Sequence, residues 1–402
     1  NSTTGTISIT DGANGNIAIT PNGSGAVQLD GLSWPTADGS ANQILKTDGS
    51  GALSWTTPAS AGASAIDDLS DAKFGGTDFT GSLILGHQTT GTLDDAKNNV
   101  AIGGIALDAI TSGDYNTAIG YDALTANTTG SSNTASGYES LKSNTEASYN
   151  TAMGYRALKA NTTGANNSAF GTMSLSANTT GARNIAIGYT AYDGADTEDD
   201  NLAIGYAALG GSIDGGENNV AIGNYSLDAN TSGGLNVAVG FKVLTANTTG
   251  SSNTASGHKS MEANTTGGGN TAFGYESLKA NTEAGSNTAM GYKALIANTT
   301  GTFNLAFGAQ VLSANTTGNR NIAIGFRAYD AADTENDNLA IGYNTLGGSI
   351  AGGEYNVAIG NNSLDAATSG DNNTATGYDA LTGNTTGADN TALGYDAGDV
   401  IT

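Results

Sequence analysis

NTAIGYDALTANTTGSS, residues 116–132, reads as one unit of a long repeat. Its opening pentad, N-x-A-x-G, occurs eighteen times between Asn99 and the end of the chain. The pentad glycines, from Gly103 to Gly394, are spaced by seventeen residues except at Gly205–Gly223 and Gly342–Gly360, where the spacing is eighteen. NTAIG alternates with period two, as a short strand does. YDAL, at 121–124, is expected to form a second short strand. ANTTG reads as a turn, because Asn and Gly tolerate positive φ. Two short strands and two corners per unit predict one coil of a parallel β-roll or β-solenoid, repeated about eighteen times.

The positional chemistry agrees. Ala fills the third pentad position in every copy (Ala118, Ala135, Ala152, Ala358), which marks a crowded site. Its neighbours vary, from Thr117 to Ile185 and Leu202 on one side and from Ile119 to Phe170 and Ser136 on the other. Leu or an equivalent recurs at Leu124, Leu141, Leu158, Tyr192 and Leu227. Stacked coils place these residues in ladders about 4.8 Å apart, so eighteen coils would extend roughly 85 Å. A larger duplication lies on top: SSNTASG at 131–137 returns at 251–257, and NIAIG at 184–188 returns at 321–325. A block of seven coils is therefore present twice, with one coil added in the second copy, which a stack of equivalent units tolerates.

Residues 1–97 lack the pentad. TGTISIT and GNIAITPNGSGAVQL alternate as short strands do, and Trp34 and Trp55 bracket a segment with Asp-Gly turns at 38–39 and 48–49. We expect an N-terminal β segment at 1–57 with a small core around the two tryptophans. A linker or neck with a short amphipathic piece should cover 58–97, and the repeat shaft 98–402.

Composition narrows the function classes. Thirteen basic and 37 acidic residues give a net charge of −24. Such a surface repels phosphate backbones and offers no basic patch for anionic lipid, so no nucleic-acid partner and no membrane insertion are expected. No stretch is apolar enough to span a membrane. The absence of Cys removes disulfides, thiolate metal sites and a cysteine nucleophile. Gly, Asn, Thr and Ser would suit a disordered chain, but disorder does not keep an apolar pair in register over 300 residues. The chain starts at Asn1 without Met and is expected to be a fragment or processed product.

Candidate chemistry is sparse. His258 takes the slot filled by Tyr121, Tyr138 or Tyr155 in other coils and reads as a surface substitution in a ladder, while His87 has no evident partner. The acidic turns YDGADTEDDN (192–201) and YDAADTENDN (329–338) each replace an ANTTG turn. Asp193, Asp196, Glu198, Asp199 and Asp200, and in the second copy Asp330, Asp333, Glu335 and Asp337, are the candidate ligands for Ca²⁺, which takes several carboxylate and carbonyl oxygens. A solvated acidic corner is the simpler reading of the same residues. Paired carboxylates for glycoside hydrolysis need a sugar-sized cleft, and a uniform stack offers none, so no catalytic residue and no required cofactor are expected. A row of tyrosines at Tyr121 and its equivalents stacks on sugar rings or, more simply, packs along the coil surface.

The coils from 98 onward resemble the head repeats of trimeric autotransporter adhesins of the YadA type. That resemblance implies parallel β-rolls packed as homotrimers, although the repeat here is a few residues longer, by the ANTTG turn. GNIAITPNGSG, SWPTADGSANQILKTDGSGALSW and IDDLSD (66–71) resemble segments of bacteriophage tail fibres. Together they imply a non-enzymatic structural fibre at the virion surface or otherwise extracellular. Its implied partners are copies of itself, virion tail or baseplate proteins, and a glycan or protein receptor on the host surface. The alternative is a bacterial surface adhesin built from the same coils.

Overall fold

The computed structural model describes residues 28–29, 32–35, 37, 39–57, 72–75, 77–86, 92–194, 196–331, 333–348 and 352–399. The chain divides into two units, 1–68 and 69–402. In the first, β1 (Gln28–Leu29) pairs with β2 (Leu32–Ser33) and β3 (Ile44–Thr47) with β4 (Leu53–Thr56), both antiparallel. The hairpin turns at Asp48–Gly49 as the sequence predicts. The Asp48 carboxylate accepts the amides of Ser50 at 2.8 Å and Ala52 at 3.0 Å, and Gly49 takes φ +78°. Trp55 lies against Gly39 and donates its Nε1 proton to the Ala37 carbonyl at 2.8 Å. Trp34 and Trp55 remain 41% and 39% exposed, so the described residues do not enclose the expected tryptophan core. Residues 4–10, most of 15–29, most of 58–80, and His87 lie outside the described residues.

The second unit is a parallel β-solenoid with one three-residue strand per coil. Nineteen strands, from β6 (Leu83–Leu85) through β7 (Val100–Ile102) to β24 (Thr391–Leu393), pair in sequence order. Each residue sits opposite its equivalent in the next coil, as in Ala101↔Ala118 and Ala152↔Ala169. β5 (Ala72–Phe74) runs antiparallel to β6 at one end, and no pairing among the described residues joins β24 back to the start. No described residue is helical.

Counting the pentad Asn as position 1, the strand occupies positions 2 to 4. Ala at position 3 points inward and is fully buried, while positions 2 and 4 face outward. Gly at position 5 turns the chain with φ between +129° and +145°. A Cβ there would also strike the next coil: at Gly154 it would sit 2.3 Å from the Gly171 carbonyl oxygen. Conformation and contact therefore both require glycine.

The expected second strand does not form. Asp122 and Leu124 take φ +60° and +51°, and the position-9 leucines repeat this left-handed geometry at Leu141 and Leu158. Residues 121–126 form turns instead. The αL geometry swings each leucine into the coil, where it is fully buried. Burying a leucine stabilises by about 2 kcal/mol, much the same as the roughly 1–2 kcal/mol that αL costs. Hydrogen bonding therefore decides the balance.

Two asparagine ladders supply it. At position 1, Asn116 accepts the Asn133 amide on Oδ1 at 3.0 Å and donates from Nδ2 to the Gly130 carbonyl at 2.9 Å. At position 12, Asn144 donates to Asn127 Oδ1 at 2.9 Å and accepts from Asn161 at 2.9 Å. These side chains have no exposed surface, so each bond satisfies a polar group that water cannot reach. The first coil is hidden in sequence: Ser82 stands at position 1, its Oγ accepting the Asn99 amide at 2.8 Å, with Ile84 at position 3 and Gly86 at φ +112°. The stack thus begins inside the stretch read as a linker.

Candidate binding surface

Three features of the solenoid exterior depart from a uniform polar surface. The first is the outer sheet face. Four consecutive strands, Ile185–Ile187, Leu202–Ile204, Val220–Ile222 and Val237–Val239, present only aliphatic residues at positions 2 and 4. Leu305–Phe307, Ile322–Ile324, Leu339–Ile341 and Val357–Ile359 repeat this in the second block, with Phe307 adding a ring. Ile187 is 40% exposed and Phe307 52%, so each band is a continuous apolar surface open to solvent in the single chain. Thr- and Ser-bearing strands such as Thr254–Ser256 separate the two.

The second is the aromatic row at position 6. The Gly corner turns these side chains outward, and the strand spacing stacks them. Tyr121, Tyr138 and Tyr155 lie with centroids 5.7 and 5.3 Å apart and planes within 12°. A longer run extends from Tyr189 and Tyr206 through Tyr225, Phe241, His258 and Tyr275 to Tyr292. His258 stacks between Phe241 at 5.4 Å and Tyr275 at 5.2 Å, the ladder substitution expected of it. Most neighbouring rings in a run stack face to face, whereas Tyr225 meets Tyr206 and Phe241 edge-on, with planes at 63° and 85°.

The third is a pair of charge clusters. Glu139, with only 8% of its side chain exposed, accepts Lys142 at 3.1 Å, Arg156 at 2.8 Å and Lys159 at 2.8 Å. Hydrogen bonding to Lys159, with further help from Lys142 and Arg156, outweighs desolvation and holds its carboxyl at about 2. Eight coils on, Glu276 meets Lys279 at 2.7 Å and Lys293 at 3.8 Å. In a chain this acidic, most of the available cations are thus committed to internal partners.

The acidic turns disperse their carboxylates. Arg183 takes Asp200 on Nε at 2.7 Å and Asp199 on Nη2 at 2.8 Å. Asp196 accepts the Thr179 hydroxyl. Glu198 turns inward, 2% exposed, and accepts the amides of Asp196, Thr197 and Gly215 at 3.2, 3.2 and 3.0 Å. Asp193 stands apart, its carboxyl pushed up by burial and by Asp228. The second copy matches in most respects. Arg320 holds Asp337, Thr316 meets Asp333, Arg327 reaches Asp330 at 2.8 Å, and Glu335 accepts the Asp333, Thr334 and Gly352 amides. Among the described residues no three acidic, His or Cys side chains gather as a metal ion would need.

What the acidic coils do change is the interior: the sequence reading set Tyr192 in the leucine row but missed the inward Glu198 and the broken asparagine ladder. Tyr192 and Tyr329 replace the position-9 leucine, are fully buried, and accept Asn201 and Asn338 Nδ2 at 2.6 and 2.5 Å. Burial pushes both hydroxyls up, with Glu198 and Glu335 adding to it. One coil before each, Asn178 Oδ1 and Asn315 Oδ1 are buried without a partner, because the sequence places Ala195 and Ala332 where the next ladder Asn would stand. In the sequence, the loss of Asn at those two sites and the Tyr in the leucine row signal the change. Compared with family models, with curated proteins and with solved structures, the chain matches none.

Proposed function

We propose that the chain forms the shaft of a homotrimeric fibre on a virion appendage, a structural spacer that joins tail or baseplate proteins to a receptor on the host surface. The two aliphatic bands carry this reading. A soluble monomer has little reason to keep eight strands of exposed Ile, Leu, Val and Phe in register. Three copies packed about a common axis would cover both bands at once and leave the acidic corners and aromatic row outside. The coil ladder, with backbone bonds between every pair of neighbours, is stiff along its length, which suits a spacer.

Light scattering on the native particle tests it. A mass three times the 39.8 kDa chain, with an elongated hydrodynamic shape, is expected. Ile204→Lys combined with Ile341→Lys should reduce that mass to one chain while far-ultraviolet dichroism stays that of a β protein. A native particle that is monomeric at micromolar concentration would overturn the proposal.

A further inference from the structure

The position-12 asparagine ladder repeats one grip. The Nδ2 of each rung lies between two oxygens, the Oδ1 of the ladder asparagine one coil earlier and the position-15 carbonyl of its own coil. Asn144 Nδ2 lies 2.9 Å from Asn127 Oδ1 and 3.0 Å from the Ala147 carbonyl. Asn298 Nδ2 lies 3.0 Å from both Asn281 Oδ1 and the Gly301 carbonyl. The position-15 carbonyl also accepts position 1, so that Gly130 takes both Asn116 and Asn127, each at 2.9 Å.

The grip outlasts the ladder. Seventeen residues after Asn178 and Asn315 the sequence has Ala195 and Ala332, which carry no side-chain amide. The two oxygens nevertheless keep the placement they have at an intact rung. A Cβ on Gly130 would lie 2.4 Å from Asn127 Oδ1 and 2.3 Å from the Ala147 carbonyl oxygen. On Gly181 it would lie 2.4 Å from both Asn178 Oδ1 and the Glu198 carbonyl oxygen, and on Gly318 2.3 Å from both Asn315 Oδ1 and the Glu335 carbonyl oxygen. The Glu198 and Glu335 carbonyls retain the position-1 bond, from Asn184 at 2.7 Å and Asn321 at 2.8 Å, and lack the position-12 donor. Asn178 and Asn315 have no exposed surface, and their Oδ1 atoms are the two buried side-chain oxygens without a protein partner among the described residues. Two acceptors that elsewhere hold a nitrogen thus converge where the chain brings no donor, at equivalent points eight coils apart.

We infer that each point is a binding site for one buried water molecule. Its oxygen takes the place of the rung nitrogen and donates one proton to Asn178 Oδ1 and the other to the Glu198 carbonyl. In the second block it donates to Asn315 Oδ1 and the Glu335 carbonyl. The donor set selects the ligand. An anion would face two acceptors, and an apolar occupant would leave both unpaired. A hard cation gathers about six oxygens, whereas two neutral ones converge here. The Glu198 carboxylate, which could lend charge, already accepts three backbone amides. Water supplies two donors in the volume of an amide group, and buried waters typically make about three such bonds to groups that the protein leaves unsatisfied. The site lies inside one chain and does not depend on the fibre reading.

High-resolution crystallography of the full chain tests this directly. A single density peak is expected at about 2.8 Å from Asn178 Oδ1 and the Glu198 carbonyl, and another between Asn315 Oδ1 and the Glu335 carbonyl. Oxygen-17 relaxation dispersion counts long-lived waters in solution. Ala195→Asn with Ala332→Asn restores the residue that the ladder carries in neighbouring coils, and should lower that count by two per chain. No density at either point, or a peak ringed by several oxygens at about 2.4 Å as a metal ion would be, overturns the inference. So does an unchanged water count in a folded double variant. Should the variant not fold, the native density decides.

Discussion

Asn144→Ala removes one rung of the inner asparagine ladder, and the structure sets the size of the effect. Asn144 Nδ2 donates to Asn127 Oδ1 at 2.9 Å and to the Ala147 carbonyl at 3.0 Å, and its Oδ1 accepts from Asn161 at 2.9 Å. The Ala147 carbonyl keeps Asn133 and Asn161 keeps the Gly164 carbonyl, so neither is left bare. Asn127 Oδ1 is left bare, in a site with no solvent access. Three net bonds and one orphaned acceptor come to about 3–4 kcal/mol. Because each coil touches only its neighbours, the loss should stay local. Native-state hydrogen exchange by mass spectrometry should show peptides within 127–161 exchanging at least 100-fold faster, since 1.4 kcal/mol corresponds to a factor of ten. Peptides beyond residue 220 should be unchanged. Asn178→Ala is the internal control: Asn178 Oδ1 already lacks a partner, so that variant should lose about 1 kcal/mol less. A change under threefold around Asn144, or one spread evenly over the chain, would refute the claim that the ladder holds the coils together.

Gly154→Ala meets both a left-handed backbone at φ +143° and a carbonyl oxygen at 2.3 Å, and should cost at least about 3 kcal/mol. Gly49→Ala at φ +78°, with open space around it, should cost only about 1 kcal/mol, as thermal melts of the two variants will show. Glu139 is held at about 2, below its ordinary 4.5, so its contribution is present above about pH 4.5 and lost as the pH falls towards 2. Urea melts at pH 7 and pH 2.5 should therefore differ less in Glu139→Gln than in the native chain. Glu198→Ala strips the acceptor from three amides and should cost about 3 kcal/mol, seen as faster exchange confined to residues 184–218.

The repeat period, the inward alanine and the glycine corner were legible because each follows from local sterics that recur at every seventeenth residue. The false strand at 121–124 came from reading alternation without its backbone: Leu124 looks like a strand residue but reaches the core by taking αL, and no propensity rule places leucine there. The coil at 82–98 was missed because Ser82 and Ile84 stand for Asn and Ala. Stepping back seventeen residues from Gly103 to Gly86 would have found it. The acidic turns drew attention for their charge. Their structural effect lies in Tyr192 and the inward Glu198, whose side-chain direction depends on the free backbone amides of its own turn and of Gly215 in the next coil. The tyrosine row was visible as a row, and the structure adds the stacking of its rings at 5.3–5.7 Å in Tyr121, Tyr138 and Tyr155.

A stack of near-identical coils faces a hazard that a globular fold does not. Sliding one stretch of chain by a whole coil sets Ala on Ala, Gly on Gly and Asn on Asn again, so the sheet alone scarcely distinguishes the correct alignment from one shifted by seventeen residues. The irregular coils break that degeneracy. A slipped chain would bring Tyr192 into a space shaped for leucine and crowd the extra residue of the 201–218 coil against a coil one residue shorter. Occurring once in each block, these mismatches act as alignment marks, and the unpartnered oxygens of Asn178 and Asn315 are the standing cost of a chain that can tell its coils apart.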